Sequence, residues 1–520
     1  MKSSPADADL RTRRLTAEPD DSPVPAEYAE LARAFDAFAP NEERWRRRNR
    51  SYHRLIEQIA RFHVPSGRRV LEIGSGSGDL LAALEPSKGV GVDISPAMVE
   101  LARARHPELR FELGAGEELD LGERFDAVVL SDLVPYVHDL LALFERVRAH
   151  SDQHTRVVIN SYSQAWRPLI RLLERVRLKP RKPIRNWVSP QDLANLLELS
   201  GFEVVSTARR VLFPVRIPLL TTFLNGIVGN LWPFNHLSLT FWIVARPRPD
   251  GSPPTRSSVS VVCPCRNEAG HVAEIVRRLP ELGSESELLF VEGGSSDDTR
   301  AEIERQIAAH PERNISLHVQ TGKGKGDAVR LGFARAKYEL LIILDGDLSV
   351  DPEDLPKFCQ ALERGRGELI NGSRLVYDLD PGSMRFLNML GNKLFSFLYR
   401  AIVGQHVKDT LCGTKAIHRD DYASIADSRA YFGELDPFGD FDLLFGAARL
   451  GLKIVDLPVR YRPRTYGQTN ISRFRHGLLL ARMTLVAFRR FRFSPDRLQR
   501  SADTVRPMPG ERSTKAPRPQ

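Results

Sequence analysis

Short apolar runs alternate with amphipathic stretches along the first half of the chain. Runs at residues 70–73, 90–92, 125–130 and 156–160 read as strands, with helical patterns between them. Strands separated by helices predict a parallel sheet covered on both faces. The pattern stops at R-P-R-P-D-G-S-P-P-T-R-S-S (residues 246–258), which has no periodicity, and then restarts. Runs at 258–263, 287–291, 315–320 and 340–344 are again strands, with helices from about Val272 and Thr299 between them. The expected organisation is α/β in two domains: residues 41–246 and 258–494, a Pro-rich linker at 247–257, and disordered tails at 1–40 and 495–520. No internal repeat is visible.

Three apolar segments depart from the alternation. Residues 217–245 carry no formal charge and are long enough to cross a bilayer. Pro218, Asn225, Asn230, Pro233, Asn235 and His236 are spread through them, with Gly226 and Gly229, so a continuous helix in lipid is disfavoured. Residues 237–245 are expected to form a buried strand after a loop. Residues 386–403 place Leu387, Leu390, Leu394, Phe397 and Leu398 at helical spacing, with Arg385, Lys393 and Arg400 among them, and residues 478–491 are similar. Such helices either pack on a core with a solvated basic face or lie in an anionic membrane interface.

The chain has 520 residues, 42% apolar and 27% charged, which is ordinary for a soluble globular protein. Its net charge of +9 points to anionic partners. No zinc-finger, homeodomain or RNA-binding pattern accompanies that charge, so nucleic acid is not expected. Four cysteines, Cys263, Cys265, Cys359 and Cys412, make no disulfide framework, and the first 25 residues contain no apolar leader core. Both features point to a reducing cytoplasm.

In V-L-E-I-G-S-G-S-G, Gly74, Gly76 and Gly78 alternate directly after a strand and before a helix starting near Asp79. Glycine lets the backbone pass close to a ligand at a helix N-terminus. A dinucleotide fingerprint would need a small residue at position 79. Asp93 ends the next strand, where a carboxylate can accept bonds from both ribose hydroxyls. This region resembles the class I S-adenosylmethionine-dependent methyltransferases, with a Rossmann-like fold. The resemblance implies that Glu72 orients the glycine loop, that Gly74, Ser75, Gly76 and Gly78 line the methionine and ribose, and that Asp93 with Ile94 holds the ribose. It further implies that Ala115 and Gly116 flank the adenine, although the Asp common in that loop is absent. Ser131 and Asp132 would lie near the methionine end. Tyr136 and His138 are candidates for the methyl-acceptor side, or for packing and capping the next helix.

The run L-L-I-I-L at residues 340–344 is apolar throughout and ends in Asp345-Gly346-Asp347. Two carboxylates one residue apart, at the tip of a buried strand, suit a hard divalent cation bridging substrate phosphates. C-P-C-R-N-E (263–268), V-E-G-G-S-S-D-D-T (291–299), G-K-G-K-G-D-A (322–328) and D-G-D occur in that order. This ordered set resembles the family 2 glycosyltransferases of the GT-A (nucleotide-diphospho-sugar transferase) fold. N-G-S-R (371–374), D-T-L-C-G-T-K (409–415) and R-T-Y-G-Q-T-N (464–470) are similar to the polyprenyl-phosphate, dolichol-phosphate mannose synthase-like branch. The resemblance implies that Pro264, Asn267, Glu268 and Glu292 flank the base and ribose, and that Lys323 and Gly346 lie near the nucleotide. Asp345 and Asp347 would hold Mg²⁺ or Mn²⁺, with Asp347 also counted among the catalytic groups. Arg374 and Arg464 would contact phosphates, and Asp442 is a candidate base or a structural residue. The chain departs from the family at Glu292-Gly293, where two aspartates are usual, and at Asn470, where a lysine is usual.

Together these readings imply a bifunctional enzyme: methyl transfer from S-adenosylmethionine, and metal-dependent transfer of a sugar from a nucleotide sugar to a polyprenyl phosphate. Its expected place is the cytoplasm, peripheral on the inner face of the cell membrane. The alternative is a glycosyltransferase with a polysaccharide, protein or metabolite acceptor, joined to a methyltransferase-like domain that only binds S-adenosylmethionine.

Overall fold

The computed structural model describes residues 24–175, 186–215, 217, 219–230, 234–249, 256–374, 386–429, 439–462, 466 and 473–492. The chain divides into two compact units, Met1–Arg248 and Pro249–Gln520.

The first unit holds seven strands: β1 (Arg69–Ile73), β2 (Lys88–Asp93), β3 (Arg110–Leu113), β4 (Phe125–Ser131), β5 (Ser151–Tyr162), β6 (Phe202–Arg210) and β7 (Thr240–Pro247). Their order is β3-β2-β1-β4-β5-β7-β6. The first five are mutually parallel, with Val70 of β1 opposite Gly89 and Ala127. β7 runs antiparallel to both neighbours, so the sheet is mixed rather than wholly parallel. The cause is the return from β6 to β7, which leaves and re-enters at the same sheet end. The expected strand at 237–245 begins three residues later: Leu237 closes a 3₁₀ turn, Phe234–Leu237, and every residue of β7 is buried.

Two apolar layers sandwich this sheet. One contains Leu71, Ile73, Phe125, Phe144 and Phe202; the other contains Val70, Leu81, Phe111 and Trp242. The chain is folded before residue 40, contrary to the expected tail. Helix Ala29–Phe38 presents Leu31 inward and, with Tyr28, packs on Ala115. Positions 28, 31 and 35 share one helical face, a signal too short to stand out in a charged segment.

The second unit holds β8 (Val259–Cys265), β9 (Ser286–Glu292), β10 (Ile315–Val319), β11 (Leu340–Ile343), β12 (Leu369–Ser373), β13 (Lys415–His418) and β14 (Ile454–Pro458). Their order is β10-β9-β8-β11-β13-β12-β14, and β13 is antiparallel to β11 and β12. Its core gathers Val261, Phe290, Ile342 and Phe358. Helix Phe386–Val403 contacts helix Arg473–Arg492.

His63, the last residue of helix Arg50–His63, is buried against Trp242, ring centroids 6.2 Å apart. Neither ring nitrogen has a hydrogen-bond partner. Burial, with the charge of Arg210 beside it, pushes its pKa down to about 3. The folded form therefore resists a proton that the unfolded chain takes up near pH 6.5, and stability falls as pH drops from about 6.5 toward 3. His63→Phe should flatten this loss by about 1.4 kcal/mol per pH unit at most. Denaturant melts of the full chain between pH 4 and pH 7 measure it; an unchanged slope would contradict the assignment.

Candidate active sites

At the end of buried β1 the chain turns through Gly74 (φ +77°) and Gly76 (φ +51°), conformations that side chains rarely adopt. A Cβ on Gly74 would meet Leu133 at 2.8 Å, whereas one on Gly76 would meet nothing. Asp93, at the tip of β2, accepts from the Gly76 N–H at 2.8 Å and the Ser95 N–H at 2.9 Å. Loop and carboxylate thus fix one another. They open onto a cavity of about 550 Å³ whose lining includes Glu72, Gly74, Ser75, Gly76, Asp93, Ile94, Gly116 and Ser131. Gly78 and Ala115 are not part of that lining. Gly78 caps helix Asp79–Ala83 against Phe111, and Ala115 packs beneath Tyr28 and Leu31.

Glu72 Oε2 and Ser75 Oγ line this cavity, are buried, and have no hydrogen-bond partner in the protein. Orphaned polar atoms beside a glycine loop fit a polar ligand that would satisfy them. Burial, reinforced by Asp93 and Asp79, pushes the Glu72 carboxyl up to about 8 against the Leu81 N–H and Arg46. Burial thus favours its protonated form, which can donate a hydrogen bond. The residues therefore fit the amino-acid and ribose portions of S-adenosylmethionine.

The cavity lining also includes aromatic side chains and the Asp132 carboxylate. Asp132, at φ +53° just past β4, accepts from Tyr52 Oη at 2.8 Å, Asn160 Nδ2 at 2.8 Å and Tyr162 Oη at 3.4 Å. The two tyrosine rings stack with centroids 6.3 Å apart. Burial, then the Asp132 charge, raises both phenol pKa values. Tyr136 lines the cavity and packs edge-on against Phe35, whereas the exposed His138 ring lies 4.0 Å from Glu27 and is not in the lining. Tyr52 comes from helix Arg50–His63, far in sequence from β4, which is why sequence inspection missed it.

In the second unit β11 is wholly buried and delivers Asp345 and Asp347 at its end. A Cβ on Gly346 would sit 2.9 Å from the Pro264 carbonyl and 3.0 Å from Cys265 Sγ, so the tips of β8 and β11 meet backbone to backbone. Asp347 Oδ1 accepts from the Ser349 N–H at 3.1 Å. Lys325 ion-pairs with Asp345. Burial opposes the Lys325 charge, but Asp345, Asp440 and Asp347 outweigh it and raise its pKa. Lys323 is exposed. The residue of G-K-G-K-G that reaches the strand tip is thus Lys325, the first residue of helix Lys325–Arg335.

The residues expected near the nucleotide lie on the loops after β8 and β9. Asn267 (φ +59°) receives the Ser296 N–H at 2.8 Å, and its own N–H donates to Ser295 Oγ at 3.0 Å. The Glu268 N–H donates to Thr299 Oγ1 at 2.8 Å, and its carboxylate lies 2.9 Å from His271 Nδ1. Buried Glu292 accepts from the Ser295 N–H. Tyr466 reaches this corner: its ring meets His271 edge-on at 5.7 Å, and its hydroxyl donates to Asp297 at 3.3 Å.

Three further candidates are engaged elsewhere or lie outside the described residues. Arg374 forms a two-point pair with Asp409 at 2.7 and 2.9 Å and lies over the Tyr461 ring at 4.9 Å. Burial works against Asp409, but Arg374 and Asn392 bring its pKa down to about 2. Asp442 pairs with Arg429 at 2.8 Å, while Asp440 pairs with buried Lys415 at 2.9 Å. Arg464 lies outside the described residues.

Among the described residues, no three His, Cys, Asp or Glu side chains cluster to hold a metal ion. Two carboxylates at a strand tip still suit Mg²⁺ or Mn²⁺ when substrate phosphates complete the shell, which is the usual arrangement for a phosphate-bridging ion.

Fold and sites define two group-transferring enzymes on one chain. Residues 44–207 match the methyltransferase domain family, and residues 260–425 match glycosyl transferase family 2. Glycosyltransferase AglJ of Haloferax volcanii is 32% identical over 228 residues, covering 43% of this chain and 70% of that protein. The undecaprenyl-phosphate mannosyltransferase of Micrococcus luteus is 29% identical, covering 41% of this chain and 87% of the relative. A solved S-adenosylmethionine-dependent methyltransferase of Thermotoga maritima aligns at 20% identity and TM-score 0.33, covering 42% of this chain and 99% of that one. The chain belongs to the family 2 glycosyltransferases and carries, ahead of that unit, a segment that matches the methyltransferase domain family.

Two variants separate binding from support. Asp93→Ala should weaken S-adenosylmethionine at least about tenfold by titration calorimetry, as expected for a lost charge-assisted bond. Arg374→Met strands Asp409 without its counter-charge and should cost about 3–5 kcal/mol of stability. A thermal midpoint equal to that of the parent chain would return Arg374 to a direct role with substrate.

Proposed function

We propose that the second unit transfers a sugar from a nucleoside-diphosphate sugar to a polyprenyl phosphate, and that the first transfers a methyl group from S-adenosylmethionine. The observation that carries the first half is the pair of carboxylates at the β11 tip, set against the β8 loop. A divalent cation on Asp345 and Asp347 would neutralise the charge that develops on the leaving diphosphate. Lys325, already paired with Asp345, places a second positive charge at the same tip. The β8 and β9 loops, through Asn267, Glu268 and Glu292, hold the nucleoside away from that charge. A lipid phosphate is ionised at neutral pH, so its attack needs no dedicated base, which agrees with Asp442 being tied to Arg429.

Support for a lipid acceptor comes from the surface of the paired helices. Tyr399, Ile402, Met483, Ala487 and Phe491 are buried, while Leu394, Phe397 and Leu485 are exposed at 55, 68 and 66%. Lys393, Arg400, Arg482 and Arg489 are exposed on the same two helices. Apolar side chains interleaved with cations suit an anionic membrane interface. Among the described residues no helix is long and apolar enough to cross a membrane. Similarity to the undecaprenyl-phosphate mannosyltransferase of Micrococcus luteus agrees with this acceptor class.

The test is transfer by the purified chain from a panel of labelled nucleotide hexoses to polyprenyl phosphate in detergent. Label should enter the organic phase, vanish with chelator and return with Mn²⁺ or Mg²⁺. Asp347→Ala should lower transfer by about 10²-fold or more while leaving S-adenosylmethionine affinity unchanged. Label confined to water-soluble products, or transfer indifferent to chelation, would overturn the reading.

A further inference from the structure

In the connection from β6 to β7 of the first unit, two polar side chains, Thr221 and Asn225, satisfy backbone groups of the same loop. Asn225 accepts from the Phe213 N–H at 2.7 Å and donates to the Phe213 carbonyl at 2.8 Å. Thr221 Oγ1 accepts from the Ile217 N–H at 2.8 Å and donates to the Val215 carbonyl at 2.6 Å. Several of the connection's large apolar side chains are exposed: Leu219 is 86% exposed, Leu237 54%, Phe223 51%, Phe234 47%, Leu220 43% and Ile227 41%. Leu219 also holds φ +63°, a strained conformation for a leucine, at the start of helix Leu220–Gly226. Exposing this much apolar surface on one uncharged segment costs free energy in water, and a cluster of this kind marks a docking surface.

Two observations say what covers it. The segment frames the methyl-donor cavity, because Pro214 and Leu239 belong to the cavity lining. It is also tied to a basic helix: Trp166, another lining residue, donates its indole N–H to the Leu237 carbonyl at 2.7 Å. Helix Arg167–Arg175 follows directly, with Arg167, Arg171 and Arg175 exposed beside Leu172 at 55%. That helix carries three arginines against a single Glu174. Uncharged apolar side chains flanked by arginines complement an anionic lipid surface: the rings and leucines enter the acyl boundary and the cations meet phosphates.

We propose that the segment between β6 and β7 is a membrane-interface element, and that it gives the methyltransferase cavity access to an acceptor carried on a lipid. The inference rests on reading the cavity as the S-adenosylmethionine site. It does not depend on the acceptor of the glycosyltransferase unit. A soluble acceptor would need no apolar rim at the mouth, whereas a lipid-borne one needs the cavity held at the depth of the headgroups.

All four native cysteines are buried, so Phe223→Cys in the full chain takes an environment-sensitive fluorophore selectively. With vesicles of equal parts phosphatidylcholine and phosphatidylglycerol, the label should shift to the blue and be quenched by lipids spin-labelled near the headgroup. Adding Leu219→Asp should weaken that response about tenfold and leave S-adenosylmethionine affinity unchanged. No spectral change with vesicles would overturn the proposal. So would a shift that appears without vesicles and grows with protein concentration, which would assign the surface to a second copy of the chain. A separate label at Phe397→Cys reads the surface of the glycosyltransferase helices, so failure at one surface is distinguishable from failure at the other.

Discussion

Both sites exist because each sheet reverses its winding at one pair of parallel strands. In the first unit the order runs β3-β2-β1 and then turns to β4-β5; in the second it runs β10-β9-β8 and then turns to β11. At such a point the chains leaving two neighbouring strand ends diverge, and a crevice opens at their carboxyl ends. β1 and β4 are in register from Val70 with Ala127, and β8 and β11 from Val259 with Leu340. The functional residues follow from that geometry. Gly74 to Gly76 and Asp132 leave β1 and β4, while Cys265 to Glu268 and Asp345 to Asp347 leave β8 and β11. The buried strands supply rigidity, and the diverging loops supply room.

The two crevices handle crowded carboxylates differently. In the first, Glu72 stands near Asp93 and Asp79, and burial raises its pKa toward the protonated form. In the second, Asp345 is neutralised by Lys325, and Asp440 by Lys415. A Cβ on Gly413 would collide with both Lys325 Nζ and the Asp345 carboxylate, so the backbone of D-T-L-C-G-T-K closes directly over that pair. The Lys415–Asp440 bridge ties β13 to helix Asp440–Arg449 immediately behind it. The first crevice thus offers a buried carboxyl, and the second offers lysine charge beside its carboxylates.

What the sequence disclosed follows the same division. Strands β1, β4, β8 and β11 are largely apolar runs with the candidate polar residues directly after them, so strand, tip and chemistry could be read from neighbouring residues. Contacts between distant segments could not. Tyr52 reaches Asp132 across 80 positions, and Arg374 finds Asp409 across 35. For Arg374 the unseen partner adds a largely buried ion pair with Asp409. Lys323 and Lys325 are equivalent in the motif and differ only in where the helix starts. The antiparallel returns of β7 and β13 were hidden because an apolar run carries no sign of its direction.

The uncharged segment 217–245 had two sequence readings, a membrane span or a buried strand after a loop, and the fold gives each part of it a reason. Residues from Thr240 onward are a strand paired on both sides, so they cannot leave the sheet for lipid. The residues before it cannot cross a bilayer either, since Asn225 and Thr221 are committed to backbone groups of the same loop. Yet those polar groups, the very ones that argue against a span, are what free the leucines and phenylalanines to face outward. Had Asn225 and Thr221 been apolar, the loop would have needed water on its outer side to satisfy Phe213, Val215 and Ile217, and an apolar exterior would be untenable. Satisfying the backbone from within is the condition for resting against lipid without spanning it, and this connection, which contributes Pro214 and Leu239 to the cavity lining, meets that condition.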